Sequence, residues 1–230
     1  DMRYLEYSER LELPETALEH LAVVAGRCGV MLFASAWDVP ALARCIRTLE
    51  PPCVKIPSAC LTDDELLRAA SRTRLPVLLS TGMSTAEQIA HAVDVLDLAE
   101  VASDDWRRRS DRLLLFACKS AYPTPTEDLN LASIRTLHRA YGGPVGWSGH
   151  EPGGVWLPPL EAVVMGALAV ERHFTLDKAA WGTDQSASLE PHEFAQLVRA
   201  IREWERARGD GTIRVLESEK PIMEKLRKCR

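Results

Sequence analysis

PVGWSGHEPGGVWLPPLEAVVMGALAVERHF, residues 144–174, is the stretch whose reading decides the fold. It opens on a short apolar run, PVGWS (144–148), and closes on another, LAVERHF (168–174), with a helical run over Trp156–Ala167 between them. Strands joined through a helix of this length are parallel neighbours, because a hairpin needs only a tight turn. His150 follows the first run and His173 falls in the second, 23 residues apart. As parallel neighbours the two strands bring both imidazoles to the same end of one sheet.

The same alternation runs through the chain. VMLFAS (30–35), CVKIPS (53–58), PVLLST (76–81) and RLLLFAC (112–118) are continuous apolar runs ending in small or polar residues, the form of buried parallel strands. Helices are expected over Thr16–Arg27, Pro40–Leu49, from Thr62, from Ser84, over Leu131–Tyr141 and over Pro191–Arg208. Thr62 and Ser84 open capping-box patterns, T-D-D-E and S-T-A-E. Gly29, Gly142 and Gly209 stop helices, and the tail after Gly209 is charged without a core pattern. Six strands followed by helices, with no linker or composition break, predict a single α/β domain over residues 1–230 with a parallel sheet. The candidates are a doubly wound sheet and a TIM (β/α)8-type barrel. No Gly-x-Gly-x-x-Gly or Walker loop follows a strand, which weakens the nucleotide-binding version. Six strands leave an eight-stranded barrel two short, so the expectation is that the first two precede Asp1 or come from another chain.

Composition narrows the function classes. The chain is 46% hydrophobic and 27% charged, with net charge −5, which gives no support for nucleic-acid binding. The six cysteines form no Cys-x-x-Cys pair and read as reduced thiols. No signal-peptide pattern or membrane-spanning run is read in these residues, so neither is expected, and a cytoplasmic location is expected by default. Arg107 to Arg109 read as a solvated surface run.

Functional groups of parallel α/β folds gather at the carboxyl ends of strands. Those ends carry Ser35; Lys55 and Ser58; Ser80 and Thr81; Lys119, Ser120 and Tyr122; Ser148 and His150; Glu171 and His173. Lys55 sits among apolar residues, and a buried ammonium needs an anion or several acceptors. With Ser58, Ser80 and Ser120 converging on it, phosphate is the natural partner; the alternative is a lysine reaching the surface from an edge strand. The paired His150 and His173 point to a shared metal with positions open for water and substrate. Asp184, in GTDQSAS, is either a turn aspartate or a carboxylate that grips sugar hydroxyls or a metal-bound water.

At these residues the chain resembles the sialic acid synthase family, the phosphoenolpyruvate-condensing N-acetylneuraminate and N-acylneuraminate-9-phosphate synthases. The resemblance is carried in order by KIPS (55–58), PVLLSTGMST (76–85), SAYPTPTEDLNL (120–131), VGWSGHEPG (145–153), ERHFTLDK (171–178), GTDQSASLEP (182–191) and ESEKPIMEKLR (217–227). It implies a (β/α)8 barrel that joins phosphoenolpyruvate to an open-chain N-acyl mannosamine-type sugar, releasing phosphate. By position it implies His150 and His173 as ligands of a divalent metal, Mn2+ or Mg2+. It places Lys55, Ser58, Ser80, Ser120 and Ser148 around phosphoenolpyruvate, and Tyr122 and Asp184 around the amino sugar. Ser35 aligns with a position that is often Thr. The family's acid/base glutamate and a further phosphate-binding lysine are expected on strands preceding residue 1. A C-terminal antifreeze-like domain, which caps the partner's site in a homodimer, is expected to be absent. Legionaminic and pseudaminic acid synthases, and a non-catalytic remnant, are the alternatives. Gly149 stands where bacterial members often carry Asp, and Lys119 where Thr is common.

Overall fold

The computed structural model describes residues 6, 10–96, 112–154 and 156–228. The arginine run at 107–109 lies outside the described residues. Five strands form one parallel sheet in sequential order: β1 Val54–Ile56, β2 Val77–Ser80, β3 Leu113–Cys118, β4 Val145–Gly149 and β5 Val170–Arg172. The helices are α1 Glu15–Cys28, α2 Val39–Leu49, α3 Asp64–Arg72, α4 Ala86–Val95, α5 Ser133–Tyr141, α6 Leu157–Val164, α7 Pro191–Ala207 and α8 Lys220–Leu226. A doubly wound sheet reverses its strand order part-way. This sheet does not, and its order is that of a barrel arc.

Alternation along each strand sorts the two faces. Val54, Ile56, Val77, Leu79, Leu115 and Trp147 face the helices and join Leu66, Ile89, Ile134 and Ala162 in one core. The other face carries Lys55, Ser80, Phe116, Cys118 and Ser148, brought side by side by the pairs Ser80↔Phe116, Cys118↔Ser148 and Ser148↔Glu171. Close packing there needs Gly146: a Cβ on it would fall 2.5 Å from Phe116 Cε1.

The run 30–35, expected as a strand, makes a single parallel bridge, Ser35↔Lys55, with Ala36 N–H donating to Lys55 O at 3.2 Å. Continuing that register backwards sets the run against Pro51 and Pro52, which have no N–H to donate. At both expected capping boxes the N-cap lies one residue later, and only the second keeps a box. Asp63, not Thr62, caps α3, accepting from Glu65 N and Leu66 N at 3.1 and 3.0 Å. Thr85, not Ser84, opens the box on α4 with Gln88. The helix expected over Trp156–Ala167 is shorter, because Gly166, at φ 104°, turns the chain into β5. Leu168 N–H and Ala169 C=O already bond to β4 ahead of β5 proper. The tail after Gly209 is largely exposed, as its lack of a core pattern predicts, although it forms the short α8. No described helix is long and apolar enough to cross a membrane.

Candidate functional site

The site sits at the carboxyl ends of β1 to β5. Lys55 is buried on the face of β1 opposite Val54 and Ile56. Its Nζ donates to Ser80 Oγ at 2.7 Å and to Glu171 Oε2 at 2.6 Å, and lies 4.6 Å from the centroid of the Phe116 ring. Ser148 donates to the other Glu171 oxygen at 2.7 Å. Burial would raise the Glu171 carboxyl, but the Lys55 ammonium and the Ser148 hydroxyl outweigh it and hold it below the ordinary carboxylate range. The ammonium whose position demanded an anion therefore already has one from β5. In the sequence Glu171 stood out only as a strand-end residue; period-two alternation with His173, together with Lys55's need for a counter-charge, was the signal for it.

Ser58 and Ser120 meet over Gly82 rather than directly on Lys55. Gly82 N–H donates to Ser58 Oγ at 3.0 Å, and Ser58 Oγ lies 3.2 Å from Cys118 Sγ. A Cβ on Gly82 would fall 2.3 Å from Ser120 Oγ and 2.9 Å from both Ser58 Oγ and Cys118 Sγ. Cys118 was not singled out as a site residue; burial raises its thiol, so it rests here as a neutral group. The described cysteines are all free thiols, as expected. Ser35 is exposed and touches the site only through its bridge to Lys55.

His150, His173 and Tyr122 form an aromatic cluster, with ring centroids 5.1 Å apart for the two imidazoles, 4.3 Å for Tyr122–His150 and 5.5 Å for Tyr122–His173. His150 Nδ1 is tied to the carbonyl of Lys119 at 2.5 Å. Lys119 thus contributes its backbone here. Burial lowers His150 below the ordinary imidazole value, only partly opposed by that carbonyl, so a neutral ring is favoured. Tyr122 precedes a cis proline; burial and then Asp184 push its phenol up to about 12, so it stays a donor at neutral pH. Asp184 Oδ2 stands 3.5 Å from His173 Nδ1, and its other oxygen accepts from Thr183 Oγ1 at 2.7 Å. Among the described residues no group of three or more His, Cys, Asp or Glu side chains is placed to hold a metal ion.

Beneath the imidazoles, Glu151 and Arg172 form an ion pair with both side chains 1% exposed. Neither was singled out in the sequence, where each is masked by the histidine beside it.

Fold and site together define a parallel α/β protein with a cation–carboxylate cleft and paired imidazoles at its strand ends. The sequence profile of the NeuB family matches residues 1–213. The chain is 34% identical over 223 residues to the N,N'-diacetyllegionaminic acid synthase of Legionella pneumophila, covering 97% of this chain and 60% of that one. It is 32% identical over 226 residues to the human N-acetylneuraminate-9-phosphate synthase, covering 98% and 59%. It spans about three fifths of the length of these curated relatives. The crystal structure of the N-acetylneuraminic acid synthetase of Leptospira borgpetersenii, in complex with citrate, superposes with TM-score 0.78 at 30% identity, covering 95% of this chain and 73% of that one. The chain belongs to the NeuB family.

Proposed function

We propose that this chain carries the substrate-binding arc of a nonulosonic acid synthase, condensing phosphoenolpyruvate with an N-acyl mannosamine-type amino sugar or its 6-phosphate. In this reading the arc belongs to a closed (β/α)8 barrel. The observation that carries the proposal is the Lys55–Ser80–Glu171–Ser148 chain of hydrogen bonds lying beside the Tyr122–His150–His173 cluster. One side offers an ammonium and hydroxyls to phosphate oxygens, and the other offers imidazoles and a phenol to an aldehyde sugar.

The donor set fits a divalent metal, Mn2+ or Mg2+. His150 is held neutral by burial, and the Lys119 carbonyl fixes its Nδ1, which leaves Nε2 as the ligand atom. His173 faces it across 5.1 Å. Such an ion supplies Lewis-acid polarisation of an aldehyde oxygen. Lys55 and Ser80, with Ser58 and Ser120 over Gly82, bind and orient the phosphate. Tyr122 keeps its proton and donates to a sugar oxygen, and Asp184 accepts from sugar hydroxyls. The enol carbon bonds to the aldehyde carbon, water adds at the adjacent carbon, and phosphate leaves with its bridging oxygen.

The test is phosphate release from phosphoenolpyruvate with N-acetylmannosamine, its 6-phosphate, and the amino sugars that lead to legionaminic and pseudaminic acids, with and without Mn2+. Metal-dependent release with one sugar is the expected result. No release with any of them from the full-length gene product would favour a non-catalytic sugar- or phosphate-binding role.

A further inference from the structure

We propose that the buried Glu151–Arg172 pair is a positioning device that sets His150, His173 and Asp184 relative to one another. This rests on the reading of those three groups as the metal-and-sugar end of the site.

The pair is built into the two histidine-bearing segments. Glu151 directly follows His150, and Arg172 directly precedes His173. Period-two alternation turns Arg172 to the face opposite Glu171 and His173, so the pair lies behind the imidazoles. Arg172 Nη1 bonds Glu151 Oε1. Its Nη2 donates to Glu151 O at 3.1 Å and to Ala187 O at 3.2 Å. Ala187 ends the short 3-10 turn Gln185–Ala187, whose N-cap is Asp184. One guanidinium thus binds the three segments that carry the three groups. A lysine has no planar fork with which to do this.

Position 149 is shaped for the pair. A Cβ on Gly149 would fall 2.6 and 2.9 Å from the Glu151 carboxylate oxygens and 2.7 Å from Trp147 Nε1. The carboxylate occupies the space that any side chain at 149 would need.

Stability is a poor explanation for the pair. Among the described residues, Glu151 Oε2, Arg172 Nε and Trp147 Nε1 have no hydrogen-bond partner. A buried pair of this kind is often replaced by apolar residues at no loss of stability. What an apolar pair cannot do is tie β4, β5 and the Asp184 turn at fixed points.

The experiment compares the full chain as wild type, Arg172→Lys and the volume-matched double variant Glu151→Met/Arg172→Met. Free Mn2+ is titrated by electron paramagnetic resonance, and thermal midpoints are recorded alongside. Positioning predicts that both variants weaken Mn2+ binding by roughly 10–100-fold, the usual effect of removing a group that orients metal ligands. It also predicts that the double variant melts no lower than wild type. A folded double variant that binds Mn2+ as tightly as wild type overturns the proposal. So does loss of fold in both variants, which would make the pair a stability element. If wild type itself leaves all Mn2+ free, it is the reading of the histidines as ligands that fails, and the positioning role falls with it.

Discussion

Lys55 shows how one buried charge organises its surroundings. Its ammonium is shared between Glu171, Ser80 and the face of Phe116, so each fixes the others. Lys55→Met leaves the Glu171 carboxylate without its counter-charge, held by Ser148 alone. Because that side chain is 37% exposed, the loss falls below that of a fully buried pair, about 1–3 kcal/mol in urea unfolding. Adding Glu171→Gln is expected to recover most of that stability while phosphate binding, followed by calorimetry, stays lost. Recovery of both would remove Lys55 from the phosphate site. Gly82→Ala is a finer probe: its methyl must displace Ser58 and Ser120, so a raised KM for phosphoenolpyruvate is expected, with overpacking of about 1–3 kcal/mol. At this scale the sequence disclosed donors better than partners. Lys55, Ser80, Ser148, His150 and His173 were legible because strand ends converge by rule. Glu171 showed only as a strand end, and Glu151 and Arg172 did not stand out, since a charge shows its partner only once the register of the neighbouring segment is known.

The elements owe their positions to local chemistry that can be tested one residue at a time. Thr85→Ala should destabilise by about 1 kcal/mol by opening the capping box with Gln88. Ser84→Ala, which loses only a 3.0 Å bond to Gly82 O, should have a smaller effect. Asp63→Ala and Thr62→Ala form the matching pair on α3. Chemical denaturation of the four variants checks the one-residue shift; equal effects within either pair would contradict it. The shift arose because the sequence placed Ser, Thr and Asp side by side, and only backbone geometry decides which of them leaves the helical conformation. In the strands, Leu79→Ala should cost about 2–5 kcal/mol, while Met31→Ala, on the run with a single bridge, should change stability by no more than about 0.5 kcal/mol. The apolar run at 30–35 looked like its neighbours because hydrophobicity marks burial potential. The prolines facing it decide whether a ladder can form.

Across the whole molecule, the α/β alternation was legible from β1 onward, and sequential strand order follows from it once every crossover takes the same hand. The arc has two flanks, and both carry exposed apolar side chains: Val30 and Met31 beyond β1, and Leu168 at the entry to β5. Surfaces of this kind promote self-association. Sedimentation velocity of this chain is expected to show concentration-dependent association that weakens in Met31→Lys/Leu168→Lys; a concentration-independent monomer would argue against it. Three glycines described above have a consequence of another kind. Gly82 leaves room for two serines, Gly146 for the ring under Lys55, and Gly149 for the Glu151 carboxylate. None offers a functional group, yet each keeps open a space that another residue's chemistry fills. In a saturation mutagenesis screen these three positions should be as intolerant as the residues they accommodate, so the map of forbidden substitutions would outline the cleft in negative, as a mould outlines its casting.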